Sequence, residues 1–124
     1  MEKKMVDGVR VLVVEDNAAI RSSLAMILER EGFNVIAVEE YQRALELIEN
    51  QLFDALITDL DLPGGTGLDL LLTAKSLRPR MRSILMTGYG CSAVRKQARE
   101  LGVAAYLEKP FDPAVLLSTL VVPR

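Results

Sequence analysis

The 124-residue chain contains no histidine. That excludes Ser-His-Asp and Cys-His catalysis and removes the commonest metal ligand. Cys91 is the single cysteine, so neither an internal disulfide nor a zinc cluster can form. No apolar run reaches membrane-spanning length. The start, Met1-Glu2-Lys3-Lys4-Met5, is too charged and too short to read as a signal peptide. A cytoplasmic protein is the default expectation, with no membrane contact. Excess charge of one sign is also missing. A net charge of -2 gives no general pull toward nucleic acid or an anionic surface.

What is present is an ordinary globular composition, half apolar and 26% charged. The length suits one domain with its own core. Four apolar runs stand out: Val9 to Val14, Phe33 to Val38, Phe53 to Ile57 and Ser83 to Met86. A weaker fifth spans Val103 to Leu107. They show little alternation, as strands buried on both faces of a parallel sheet do.

Segments of helical period lie between them. Ile20, Leu24, Ile27 and Leu28 share one face, with Asn17 as cap and Gly32 as stop. Ala44, Leu45, Leu47 and Ile48 form a second stripe. Leu68 to Leu77 gives a third, ended before Pro79. Val94, Ala98 and Leu101 give a fourth, ended by Gly102. Asp112-Pro113 opens a fifth, with proline at the first helical position.

Five βα units predict a doubly wound α/β fold: a five-stranded parallel sheet of flavodoxin-like order 2-1-3-4-5 with five helices. One domain should cover 1–124, with its core at about 9–120. Ligands in such sheets bind beyond the carboxyl ends of the strands, at the switch point. Run 1 ends in Glu15-Asp16, run 3 in Asp59, run 4 in Thr87 and run 5 in Lys109. These residues should meet. Singly, each has a plain structural role: helix-dipole partners, turn residues, a solvated lysine. Together, three carboxylates at about 5 Å cost roughly 3 kcal/mol per pair at an effective dielectric of about 20. A divalent cation would remove that cost, and hard oxygen ligands suit Mg²⁺.

The motifs Val14-Glu15-Asp16, Asp59 through Pro63 to Gly67, Met86-Thr87-Gly88 and Tyr106-Leu107-Glu108-Lys109-Pro110-Phe111 resemble the receiver domain of bacterial two-component response regulators. The resemblance covers essentially the whole chain. It implies that Asp59 accepts a phosphoryl group from a phosphohistidine of a sensor histidine kinase or from a phosphotransfer protein. It implies that Asp16 holds Mg²⁺ directly, Glu15 mainly through a water, and Asp61 through its backbone carbonyl. Thr87 then hydrogen-bonds the phosphoryl group, Lys109 pairs with its oxygens, and Tyr106 changes rotamer as Thr87 is drawn inward. A cis Lys109-Pro110 bond is expected on the same ground. So is an output domain beyond residue 124 or a separate effector, with room for a homodimer on phosphorylation.

Asp61 and Tyr89 each lie two positions beyond a site residue. They are expected to flank the path of an attacking water and to tune the phosphoryl lifetime. A switching face is expected on the fourth helix, fifth strand and fifth helix, with Arg95, Lys96, Arg99, Val115 and Leu116.

Three rival readings are weaker. Asp59-Leu60-Asp61 is also the DxD of haloacid-dehalogenase-type phosphatases, but there it follows the first strand. A flavin module of this strand order would not place Glu15-Asp16 against a phosphate. A degenerate receiver serving only protein contacts would lack part of the site.

Overall fold

The computed structural model describes residues 8–120. Readings of the charged start and of the end at Arg124 fall outside the described residues.

The elements run β1 (Arg10–Val14), α1 (Ala18–Arg30), β2 (Asn34–Val38), α2 (Tyr41–Asn50), β3 (Ala55–Asp59), β4 (Asp61–Leu62), β5 (Gly65–Thr66), α3 (Gly67–Leu77), β6 (Arg82–Thr87), α4 (Ser92–Glu100), β7 (Ala105–Glu108) and α5 (Pro113–Leu120). The main sheet is parallel, in the order β2-β1-β3-β6-β7. With the two-residue strands β4 and β5 set aside, this is the expected order 2-1-3-4-5. Those two strands form a small antiparallel ladder that the apolar pattern does not announce. Pro63 and Gly64 turn between them, and Gly64 has φ +85°, as the third residue of a type II turn requires.

Successive side chains of a strand point to opposite faces, and the core divides accordingly. Val11, Val13, Ile57, Ile84 and Met86 pack with Leu24 and Leu28 of α1 and Leu116 and Leu120 of α5. Leu12, Val14, Leu56 and Leu85 pack on the other face with Ile48 of α2, Leu70 and Ala74 of α3, and Ala98 of α4. Both faces of the central strands are therefore dry, which is why their sequences do not alternate.

The caps follow their predicted chemistry. The Asn17 side chain accepts from the Ile20 N–H at 3.0 Å. Gly32 adopts φ +101° just past α1, where a side chain would be strained. Thr66 caps α3 by accepting from the Asp69 N–H at 3.1 Å. One expectation needs correcting. Leu116 is fully buried, so it belongs to the core under α5 and not to an exposed switching face. Val115, its neighbour, is exposed.

Candidate functional site

The parallel register brings the carboxyl ends of β1, β3, β6 and β7 to one edge of the sheet. Glu15, Asp59 and Thr87 are buried there, while Asp16 is exposed at the rim. Carboxylate oxygens of Glu15, Asp16 and Asp59 all lie within 4.8 Å of one another. Lys109 reaches across from the end of β7. Its Nζ donates to Glu15 Oε1 in a short contact and lies 3.3 Å from Asp59 Oδ2. The Lys109 backbone N–H is anchored on the Thr87 carbonyl at 2.8 Å, which fixes where that side chain starts. Lys109-Pro110 is cis, as expected.

Asp59 shows the effect of this crowding. Its pKa is raised to about 6, first by burial and then by the charge of Glu15. Lys109 and the Leu60 N–H, which donates to Asp59 Oδ1 at 2.9 Å, pull the other way without winning. Burial works against the Lys109 ammonium too, but the hydrogen bond to Glu15 and the charge of Asp59 outweigh it, so its pKa lies above the ordinary lysine value. One ammonium thus faces two buried carboxylates and a third at the rim, and the group remains net negative. Three hard oxygen donors at this spacing suit a divalent cation such as Mg²⁺.

The remaining predicted residues surround this centre. Thr87 Oγ1 accepts from the Tyr89 N–H at 3.1 Å and so holds the turn after β6. Asp61 is exposed at the start of β4, opposite Thr66. Tyr89 is 89% exposed, with its ring in solvent. Tyr106 is half-buried, and the Arg95 guanidinium stands 5.3 Å from its ring centre. Its hydroxyl is shielded and makes no hydrogen bond of good geometry. Burial, then the charge of Glu108, raises the Tyr106 pKa, against a lowering by Arg95.

Two glycines that pass for plain turn residues, Gly67 at the end of the Asp59 motif and Gly90 just beyond Met86-Thr87-Gly88, have specific packing roles. A Cβ on Gly67 would collide with the backbone carbonyl of Asp59. The Gly67 N–H also donates to the Leu60 carbonyl at 2.6 Å. A Cβ on Gly90 would collide with the Tyr106 hydroxyl. Sequence offers no signal for either, because both contacts join segments that the fold alone brings together.

A doubly wound α/β domain with a buried aspartate, flanking acids and a facing lysine at its switch point is the architecture of a receiver. Residues 11–121 match the response regulator receiver domain family, and the chain belongs to it. The chain is 32% identical over 102 residues to the transcriptional regulatory protein FixJ of Bradyrhizobium diazoefficiens, covering 82% of this chain and 50% of that protein. It is 37% identical to a CheY-like receiver domain protein of Methanospirillum hungatei, covering 90% of both chains with a TM-score of 0.87. It is 33% identical to a response regulator of Burkholderia pseudomallei solved with a phosphorylated aspartic acid and a calcium ion, covering 90% of this chain and 66% of that one, at a TM-score of 0.84. The chain spans about half or less of the length of most of the curated relatives it matches. Among the described residues no helix is long and apolar enough to cross a membrane.

Proposed function

We propose that this domain takes a phosphoryl group onto Asp59 from the phosphohistidine of a sensor histidine kinase or of a phosphotransfer protein, with Mg²⁺ as cofactor. The observation that carries the reading is the Asp59 carboxylate itself. It is buried at the base of the crevice, 3.3 Å from the Lys109 ammonium and beside two further carboxylates. A carboxylate oxygen attacks phosphorus, the P–N bond breaks, and the departing imidazole nitrogen keeps the electron pair and is protonated. The acyl phosphate that results is the stored signal.

Phosphoryl transfer asks a protein mainly for position and for charge on the transferring oxygens. The Asp16 carboxylate, the Asp61 backbone carbonyl and Glu15 through a water would hold Mg²⁺, which when bound neutralises charge on the phosphoryl oxygens. Lys109 pairs with one of those oxygens, and the Thr87 hydroxyl donates to another. The Thr87 oxygen accepts from the Tyr89 N–H, which leaves its O–H free to donate, so reaching the phosphoryl group calls for a shift of Thr87 toward Asp59. The movement opens space toward Tyr106 and couples the site to the α4-β7-α5 face, where Arg95, Lys96, Arg99 and Val115 are exposed. That face is read by an output domain, a separate effector or a second copy of the chain. No direct nucleic-acid contact is assigned to this domain. Asp61 and Tyr89 tune the lifetime of the phosphoryl group, Tyr89 as a bulky side chain free to cover the site.

The test is incubation with acetyl phosphate and Mg²⁺ followed by intact-mass measurement. One added phosphoryl group is expected on the wild type and none on Asp59→Asn. Equal labelling of both would overturn the assignment.

A further inference from the structure

Arg21 lies in the first turn of α1, where the positive end of the helix dipole disfavours a cation. Its side chain does not extend into solvent. It turns back over the loop, and Nη1 donates to the Glu15 carbonyl at 2.9 Å and to the Asp16 carbonyl at 3.3 Å. Those are the backbone carbonyls of the two acids. The same nitrogen is 3.9 Å from Glu39 Oε2 on the loop after β2, and the Arg21 side chain is only 22% exposed. The loop is held at its other points too. The Glu15 N–H donates to the Val38 carbonyl at 3.0 Å, and the Asn17 carbonyl takes the first helical bond from the Arg21 N–H at 2.9 Å. Between these two anchors, Arg21 grips the backbone of both acids.

We propose that Arg21 is a positioning residue, a clamp that presents the Glu15 and Asp16 carboxylates preassembled; the inference rests on the reading that this crevice holds Mg²⁺. A guanidinium suits the task because the two N–H bonds of its Nη1 are fixed in the guanidinium plane and can serve both carbonyls at once, whereas an ammonium is a single mobile point charge whose donors rotate. The Glu39 contact is long and largely in solvent, so it adds little.

Charge and clamping predict opposite signs. As a mere positive charge near the acids, Arg21 would repel a divalent cation, and its removal would tighten Mg²⁺ binding. As a clamp, its removal loosens the acids and weakens binding. Partners that orient metal ligands from outside the coordination shell are worth about 10- to 100-fold in affinity.

The experiment compares wild type, Arg21→Met, Arg21→Lys and Glu39→Gln by calorimetric Mg²⁺ titration and by acetyl phosphate labelling across Mg²⁺ concentrations. Arg21→Met should bind Mg²⁺ about tenfold more weakly. Arg21→Lys, which keeps the charge and loses the fixed planar donors, should be weakened in the same direction but less. Half-maximal labelling should need correspondingly more Mg²⁺, while the rate at saturating Mg²⁺ stays at the wild-type value. Glu39→Gln should match wild type. Mg²⁺ affinity unchanged or tightened in both Arg21 variants would overturn the clamp, even if their metal-free melting points fall. Should Arg21→Met not fold, the comparison of Arg21→Lys with wild type decides between clamp and charge in the same way. A wild type that neither binds Mg²⁺ nor needs it for labelling would instead overturn the metal reading, and the clamp with it.

Discussion

At Asp59 competing forces meet and one side prevails. Burial and the Glu15 charge favour its protonated form, and Lys109 favours its ionised form. The folded state binds this proton more tightly than the unfolded chain, whose carboxyl has the ordinary value of 3.8. Its contribution to stability is therefore complete below that value and is lost as the pH rises through about 6. Urea unfolding in EDTA should show wild type losing stability between roughly pH 4 and pH 7 relative to Asp59→Asn, which lacks the titration. Parallel curves for the two would mean that burial and the Glu15 charge do not raise the Asp59 pKa. Lys109 acts in another window. Its raised pKa adds stability that disappears only above the ordinary lysine range, so it leaves this comparison untouched.

At the scale of elements, the site depends on how closely α3 approaches β3. Gly67 opens that helix directly against the Asp59 carbonyl, with no room for a Cβ. Gly67→Ala must push the strand end and the helix start apart. Overpacking of this kind costs about 1–3 kcal/mol, and here the displaced backbone belongs to the proposed phosphoacceptor. Denaturant unfolding should show that loss, and acetyl phosphate labelling should slow with it. Gly88→Ala is the control. Nothing lies within 4 Å of a Cβ there, and its φ is not in the left-handed region, so its unfolding midpoint should stay near wild type. Similar behaviour of the two variants would show that the α3 approach is not tight.

Over the whole molecule, the acidic edge is a cost carried by the rest of the fold. Two faces of apolar packing hold together strands whose ends repel. A ligand bound only by the native state adds RT ln(1 + [L]/Kd), about 2.7 kcal/mol at a hundredfold excess over Kd. Thermal melts should therefore rise with Mg²⁺ in the wild type and not in Asp16→Ala. In EDTA, Asp16→Ala should be at least as stable as wild type, because one member of the repelling set is gone. A wild-type midpoint indifferent to Mg²⁺ would count against the cation.

The five βα units, the strand order and the edge at which the polar residues collect were all legible in the amino-acid order. Those features are local or periodic: continuous apolar runs for strands dry on both faces, an Asn17 cap, a Gly32 stop, Pro113 at a helix start. Glu15, Asp16, Asp59, Thr87 and Lys109 were legible as one group because each directly ends a strand or follows it, and a parallel sheet aligns such ends. Contacts between distant segments emerged only on folding. Packing placed Leu116 in the core, because the way α5 lies over the sheet chooses which of two adjacent apolar residues faces inward. It left Tyr89 in solvent and brought Gly90 under the Tyr106 hydroxyl. It folded Arg21 back onto the carbonyls of the acids. Periodicity reports which side of an element is dry. It carries no distance between side chains on different elements, and the charge balance of the crevice is set by those distances.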